Sequence, residues 1–145
     1  MIAAAVRKGR ASVDVVYAAL AVRRARRAVA RVPLGALVHP GAPRLSIDAA
    51  MPLTPTEHQV AARWGAAVDR ALRWMAGDSA CLVRASALRD LVIGRGLPRA
   101  VVRIGVRRGD AGFEAHAWVE QDGAPIAEPD ILQGAFASLD GVTLR

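Results

Sequence analysis

Residues 78–96 read DSACLVRASALRDLVIGRG, and the period of this stretch decides the fold. Asp78 or Ser79 supplies an N-cap, Cys81, Ala85, Leu88 and Val92 recur on one face at helical spacing, and Gly94 or Gly96 ends the run. The spacing predicts a helix. Immediately afterwards the period becomes two. RAVVRIGVRR (99–108) sets Val102, Ile104 and Val106 on one side. FEAHAWVEQ (113–121) sets Phe113, Ala115, Ala117 and Val119 on one side, with His116 and Trp118 on the other.

Upstream of this stretch the chain reads as helical. SVDVVYAALAVRRARRAVARV (12–32) starts at Ser12 as N-cap, with Val15, Ala19, Val22 and Val29 as its apolar face and Arg23, Arg24, Arg26, Arg27 and Arg31 in its last turns, where cations suit the macrodipole. A Pro- and Gly-rich connector (33–55) follows. TEHQVAARWGAAVDRALRWMA (56–76) predicts a second helix, ended by Gly77, with Trp64 and Trp74 as core residues. Downstream, APIAEPDILQGAFASLDGVTLR supplies a short strand and then weaker structure. Helices first and a small antiparallel sheet last make this an α+β chain, read as one domain over 1–145, with a helical part (1–76) and its chemistry-bearing residues at 78–130.

Composition excludes several classes. A little over half of the 145 residues are apolar, enough for a core without staples. The single cysteine cannot form an intramolecular disulfide, and no Cys/His spacing suits a metal, so a reducing cytoplasm is expected, with no metal and no cofactor. The apolar runs are too short for a signal core or a membrane span. The net charge of +7 comes from basic residues of which all but Lys8 are arginine, and no nucleic-acid-binding pattern accompanies them, so no nucleic-acid partner is expected.

Two side chains carry chemistry. Cys81 falls in the first turn of its helix, where unpaired N–H groups and the positive end of the macrodipole favour an anion, so a thiolate is stabilised and the Cys81 N–H is placed to hold an oxyanion. A buried structural cysteine fits the same position. His116 tips the balance: imidazole can take a thiol proton and return it to a leaving amine near neutral pH. A third group should orient that ring, and the hairpin register selects it. With a three-residue loop Gln121-Asp122-Gly123, Glu120 pairs with Ala124, His116 lies opposite Glu128, and Asp130 lies diagonal to it. With a two-residue Asp122-Gly123 turn, Glu128 flips to the other face. We take the first register, with Glu128 as orienter and Asp130 as fallback. Asp122 is read as a turn residue, Glu114 and Glu120 as solvated strand charges, and His39 and His58 as incidental.

CLVRASALRDLVIGRG, VVRIGVRR and FEAHAWVEQDGAPIAE, in that order, resemble the stand-alone leader peptidases of lasso-peptide biosynthesis, which are transglutaminase-like cysteine proteases. The resemblance covers 79–128, about a third of the chain. It implies a papain-like Cys-His-acid fold, with Cys81 as nucleophile, His116 as base and Glu128 where the family usually has Asp. It also implies a ribosomally made precursor as substrate, a small separate leader-binding protein, and an ATP-dependent cyclase acting on the freed core. The Arg-rich helix and the connector are candidate docking surfaces. The expected function is leader removal by acyl-enzyme hydrolysis. The alternatives are a transglutaminase-like acyl transferase, for which the same acyl-enzyme serves, and a non-catalytic peptide-binding module of the same fold.

Overall fold

The computed structural model describes residues 2–31, 51–75, 81–128 and 136–138, with side chains over 11–31, 51–75, 81–128 and 136–137. Among the described residues three helices precede the sheet, α1 (Ile2–Arg31), α2 (Pro55–Trp74) and α3 (Cys81–Ile93), and four strands follow, β1 (Ala100–Gly109), β2 (Gly112–Gln121), β3 (Ala124–Ile126) and β4 (Ala137–Ser138). They form one antiparallel sheet in the order β3-β2-β1-β4. The α+β arrangement of helices on a small antiparallel sheet is the one expected.

The central helix is α3. It packs against α1 and α2 on one side and against β1 and β2 on the other. Its sequence is apolar around most of its circumference, and Val83, Ala85, Ala87, Leu88, Leu91 and Val92 are all buried. A helix without a broad polar face can only be satisfied between two layers. The sheet meets it with Val102, Ile104, Ala117 and Val119, and Ile126 completes the same cluster. Because β1 pairs Val102 with Val119 and Ile104 with Ala117, these residues stack as cross-strand pairs on one face. Phe113 and Ala115 keep that parity but lie exposed, since the far end of the hairpin extends past the helices.

Several expectations are corrected. Helix α1 begins at Ile2, not after Ser12. The segment before Ser12 holds no proline and is rich in alanine, and the cost of Gly9, about 1 kcal/mol, does not stop a helix of this length. Its core contacts also shift, to Ala18, Ala21, Val22 and Ala25, with Val15, Ala19 and Val29 only partly buried. Helix α2 starts on Pro55, and Thr54 caps it reciprocally: the Thr54 Oγ1 accepts from the Glu57 N–H at 3.3 Å, and the Glu57 Oε2 accepts from the Thr54 N–H at 2.8 Å. Trp64 is buried as expected, but Trp74 is 83 % exposed. Ten residues apart at 3.6 per turn, the two rings point about 80° away from each other, and only one can face the core.

The β2–β3 register is also corrected. Gln121 pairs with Ala124, Glu120 with Pro125 and Val119 with Ile126, which leaves Asp122 and Gly123 as a two-residue turn. Both have positive φ, 50° and 81°. Asp-Gly is well suited to such a turn, whose twist matches that of the strands. Arg99 holds Asp122 in place with two hydrogen bonds, Nε to Oδ1 at 2.6 Å and Nη2 to Oδ2 at 2.5 Å. The tail gives one strand more than expected: β4 joins the outer edge of β1 through Gly105–Ser138 and Val106–Ala137. Gly77, Asp78, Ser79 and residues 32–50 of the connector, with His39, lie outside the described residues.

Candidate active site

Cys81 is the first residue of α3, so its N–H is one of the four that an α-helix leaves without an internal partner. The thiol is half-buried and packs against the hydrophobic cluster. His116 sits on the neighbouring β2, on the face turned away from Ala117 and Val119. Among the described residues no hydrogen bond joins the Cys81 thiol to His116. The structure brings the two onto elements that touch, and it brings a third residue into contact with the ring.

That third residue is Glu128. Its Oε2 stands 3.1 Å from His116 Nε2, and its side chain is only 5 % exposed. The expected contact is therefore present, but by a different route from the expected register. Carried on straight past Val119–Ile126, the ladder would set Glu128 opposite Ala117, on the core face. Instead Ala127 adopts φ 51°, in the left-handed region, and reverses the alternation. The kink rests on α2: a Cβ placed on Gly65 would lie 2.5 Å from the Ala127 Cβ, so only glycine at 65 lets the two backbones approach this closely. Asp130 lies outside the described residues.

The other Glu128 oxygen is held by Arg84, three residues after Cys81 on α3. Arg84 Nη1 donates to Glu128 Oε1 at 2.6 Å, Nη2 donates to the Ala127 carbonyl at 2.8 Å, and Nε donates to Asp69 Oδ1 of α2 at 2.7 Å. One guanidinium thus ties α2, α3 and the kinked segment together. Burial works against its charge, but the Asp69 and Glu128 carboxylates outweigh burial and hold the Arg84 pKa above its ordinary value.

A second arm reaches His116 from the sheet. The Trp118 ring stacks with the imidazole at a centroid distance of 6.1 Å and 11° between planes, and Phe136 lies against it at 5.3 Å and 36°. Trp118 Nε1 donates to Glu120 Oε1 at 2.7 Å, and Arg103 Nε donates to Glu120 Oε2 at 3.1 Å. Glu120 is accordingly no solvated charge. It forms part of a mostly buried ion pair with Arg103, whose side chain is only 4 % exposed. Gly105, opposite His116 across the ladder, makes room for the rings, since a Cβ there would stand 2.8 Å from Trp118 Cη2 and 2.9 Å from Phe136 Cβ. Glu114 stays at the surface, paired with Arg107, and His58 is exposed on α2.

Arg84, Asp69, Gly65, Gly105 and Glu120 were not singled out for a role at the site by the sequence. Arg84 alone carried a signal: a charge in the apolar first half of α3, three residues from Cys81, sits on the same side as the thiol and needs a carboxylate partner. Among the described residues no cluster of three or more His, Cys, Asp and Glu side chains could hold a metal. No described helix is long and apolar enough to cross a membrane.

A family model described as the transglutaminase-like superfamily matches residues 3–139, nearly the whole chain. That fold commonly serves cysteine proteases and acyltransferases. No curated protein matches the chain, and no solved structure does.

Proposed function

The chain belongs to the transglutaminase-like superfamily, and on that premise we propose that it is a cysteine endopeptidase that removes the leader from a ribosomally made lasso-peptide precursor. The observation that carries the peptidase reading is the contact between His116 Nε2 and a nearly buried Glu128. A carboxylate on one ring nitrogen fixes the tautomer and frees Nδ1 for the thiol. The leader-peptidase reading rests on the resemblance of residues 79–128.

In this reading His116 Nδ1 takes the proton of Cys81, and the thiolate sulfur attacks the scissile carbonyl carbon. The carbonyl electron pair moves onto oxygen, where the Cys81 N–H at the start of α3 stabilises the oxyanion. When the carbonyl reforms, the C–N bond breaks and the departing amine takes the proton from imidazolium. Water, losing its proton to the imidazole, then attacks the thioester, and the leader leaves as a free acid with the thiol regenerated. Glu128 stabilises the imidazolium at each stage, with Asp130 as the other candidate acid, and Arg84 keeps the Glu128 carboxylate aimed at the ring. The partners belong to the same proposal: the precursor, a separate leader-binding protein and an ATP-dependent cyclase, all in the cytoplasm.

The test is incubation with a precursor peptide encoded beside the gene, with its leader-binding protein, followed by mass spectrometry. Cleavage at one bond that disappears in Cys81→Ala supports the reading. Uncut precursor with both proteins present contradicts it. A leader recovered as an amide when a primary amine is added, with little free acid, shifts the assignment to acyl transfer.

A further inference from the structure

A second feature of the molecule lies on α1, which turns its core face inward through Ala18, Ala21, Val22 and Ala25. Its opposite face should be polar, and over two turns it is not. Val13, Val16, Tyr17 and Leu20 are 54 %, 61 %, 51 % and 47 % exposed. Their i, i+3, i+4, i+7 spacing makes them one continuous stripe, the anchor pattern by which helices recognise one another. Further along the same face come Arg23, Arg24, Arg27 and Arg31, all exposed, and none meets a carboxylate among the described residues. Where the two halves join, a cavity of about 250 Å³ opens between α1 and α3, lined by Tyr17, Leu20 and Arg24 on one side and Asp90, Leu91 and Arg95 on the other. Arg95 is fixed there, donating to the Leu91 carbonyl at 2.7 Å with its guanidinium 4.4 Å from the Trp64 ring.

We propose that this face docks an acidic amphipathic helix of a partner polypeptide, lying antiparallel to α1, with apolar side chains over Val13–Leu20 and carboxylates over Arg23–Arg31. The charges decide the occupant. Four exposed arginines follow the stripe, so the complementary segment is acidic, and a second copy of this chain, at net charge +7, is repelled. An antiparallel helix also carries its carboxylates in its own N-terminal half, where the macrodipole favours them. A membrane surface fits less well. A helix lying on lipid flanks its apolar face with cations along its whole length, whereas here the apolar and basic halves follow one another, and Asp90 lines the cavity. From residue 13 to residue 31 the face is about 27 Å long, so the segment needs about 18 residues. The surface lies outside the Cys81–His116 site, and the proposal requires no particular reaction there.

The probe is a fluorescent 20-residue peptide with glutamates in its N-terminal half and leucines at i, i+3, i+4, i+7 in its C-terminal half. Its control is the same composition with the leucines scattered around the helix. Anisotropy titrations against the intact protein are expected to give a dissociation constant in the micromolar range. Tyr17→Ser/Leu20→Ser and Arg24→Glu/Arg27→Glu should each weaken binding by about tenfold or more, with circular dichroism showing that each variant is folded at the titration temperature. Several results overturn the proposal: binding weaker than millimolar, equal binding of the scattered peptide, a response to the arginine change but not to the apolar one, tighter binding to anionic vesicles or duplex DNA, or a dimer that Leu20→Ser dissolves.

Discussion

Arg84 and Arg107 each hold a glutamate, at 2.6 Å and 2.7 Å, but in different surroundings: the Glu128 side chain is 5 % exposed and the Glu114 side chain 46 %. At nearly equal distance the two bonds are unequal in consequence. Water replaces a lost partner at the hairpin tip, whereas beside His116 the carboxylate is held, among the described residues, by Arg84 and the imidazole. The same residue types therefore make a surface ornament in one place and hold a histidine in the other. What separates them is the kink at Ala127, which carries Glu128 beneath the protein surface.

The largest break in this comparison is Arg84→Ala. It strands two carboxylates, one of them nearly buried, and should cost about 2–4 kcal/mol in urea unfolding. Cleavage should fall with it even where the protein remains folded, and Arg84→Lys should recover charge but not the forked geometry.

Gly65→Ala comes next. It leaves every charge in place and pushes on the Ala127 kink, so it should cost about 1–3 kcal/mol. The His116 ring resonances should move as Glu128 is displaced, and unchanged resonances would detach the kink from the site. Arg107→Ala, on the exposed side, should cost less than about 1 kcal/mol in the same unfolding measurement.

The smallest effect is on pH. Arg99 holds the Asp122 carboxyl below its ordinary value of 3.8. The stabilisation is therefore complete above that value and fades as pH falls below it. Melting of wild type and Asp122→Asn should differ most near neutrality, and the difference should shrink as the pH falls below 3.8.

The sequence carried the elements better than it carried their junctions. Helix α3 and the β1–β2 hairpin follow from period alone, because Leu88, Val92, Val102 and Val119 leave the chain only one way to bury them. The meeting of His116 with Glu128 was expected through a three-residue loop, and the structure reaches it through a two-residue turn and a reversal at Ala127. Nothing local in Ala127 announces a left-handed backbone. The reason for it lies 62 residues earlier, in the room left by Gly65. Asp69 and Arg84 were equally illegible as partners, since they sit on two helices whose crossing no periodicity specifies. Trp74 shows the opposite failure, where a large apolar ring suggested the core and the end of α2 left it in solvent.

The central claim is that Cys81 works as a nucleophile with His116, held by Glu128. The most direct test is the rate of iodoacetamide alkylation at Cys81, read by intact mass near neutral pH, in wild type, His116→Ala and Glu128→Gln. The account predicts rapid modification in wild type, about tenfold or more slower in His116→Ala, and intermediate in Glu128→Gln. One slow rate common to all three proteins would contradict it and leave Cys81 a packing residue of α3.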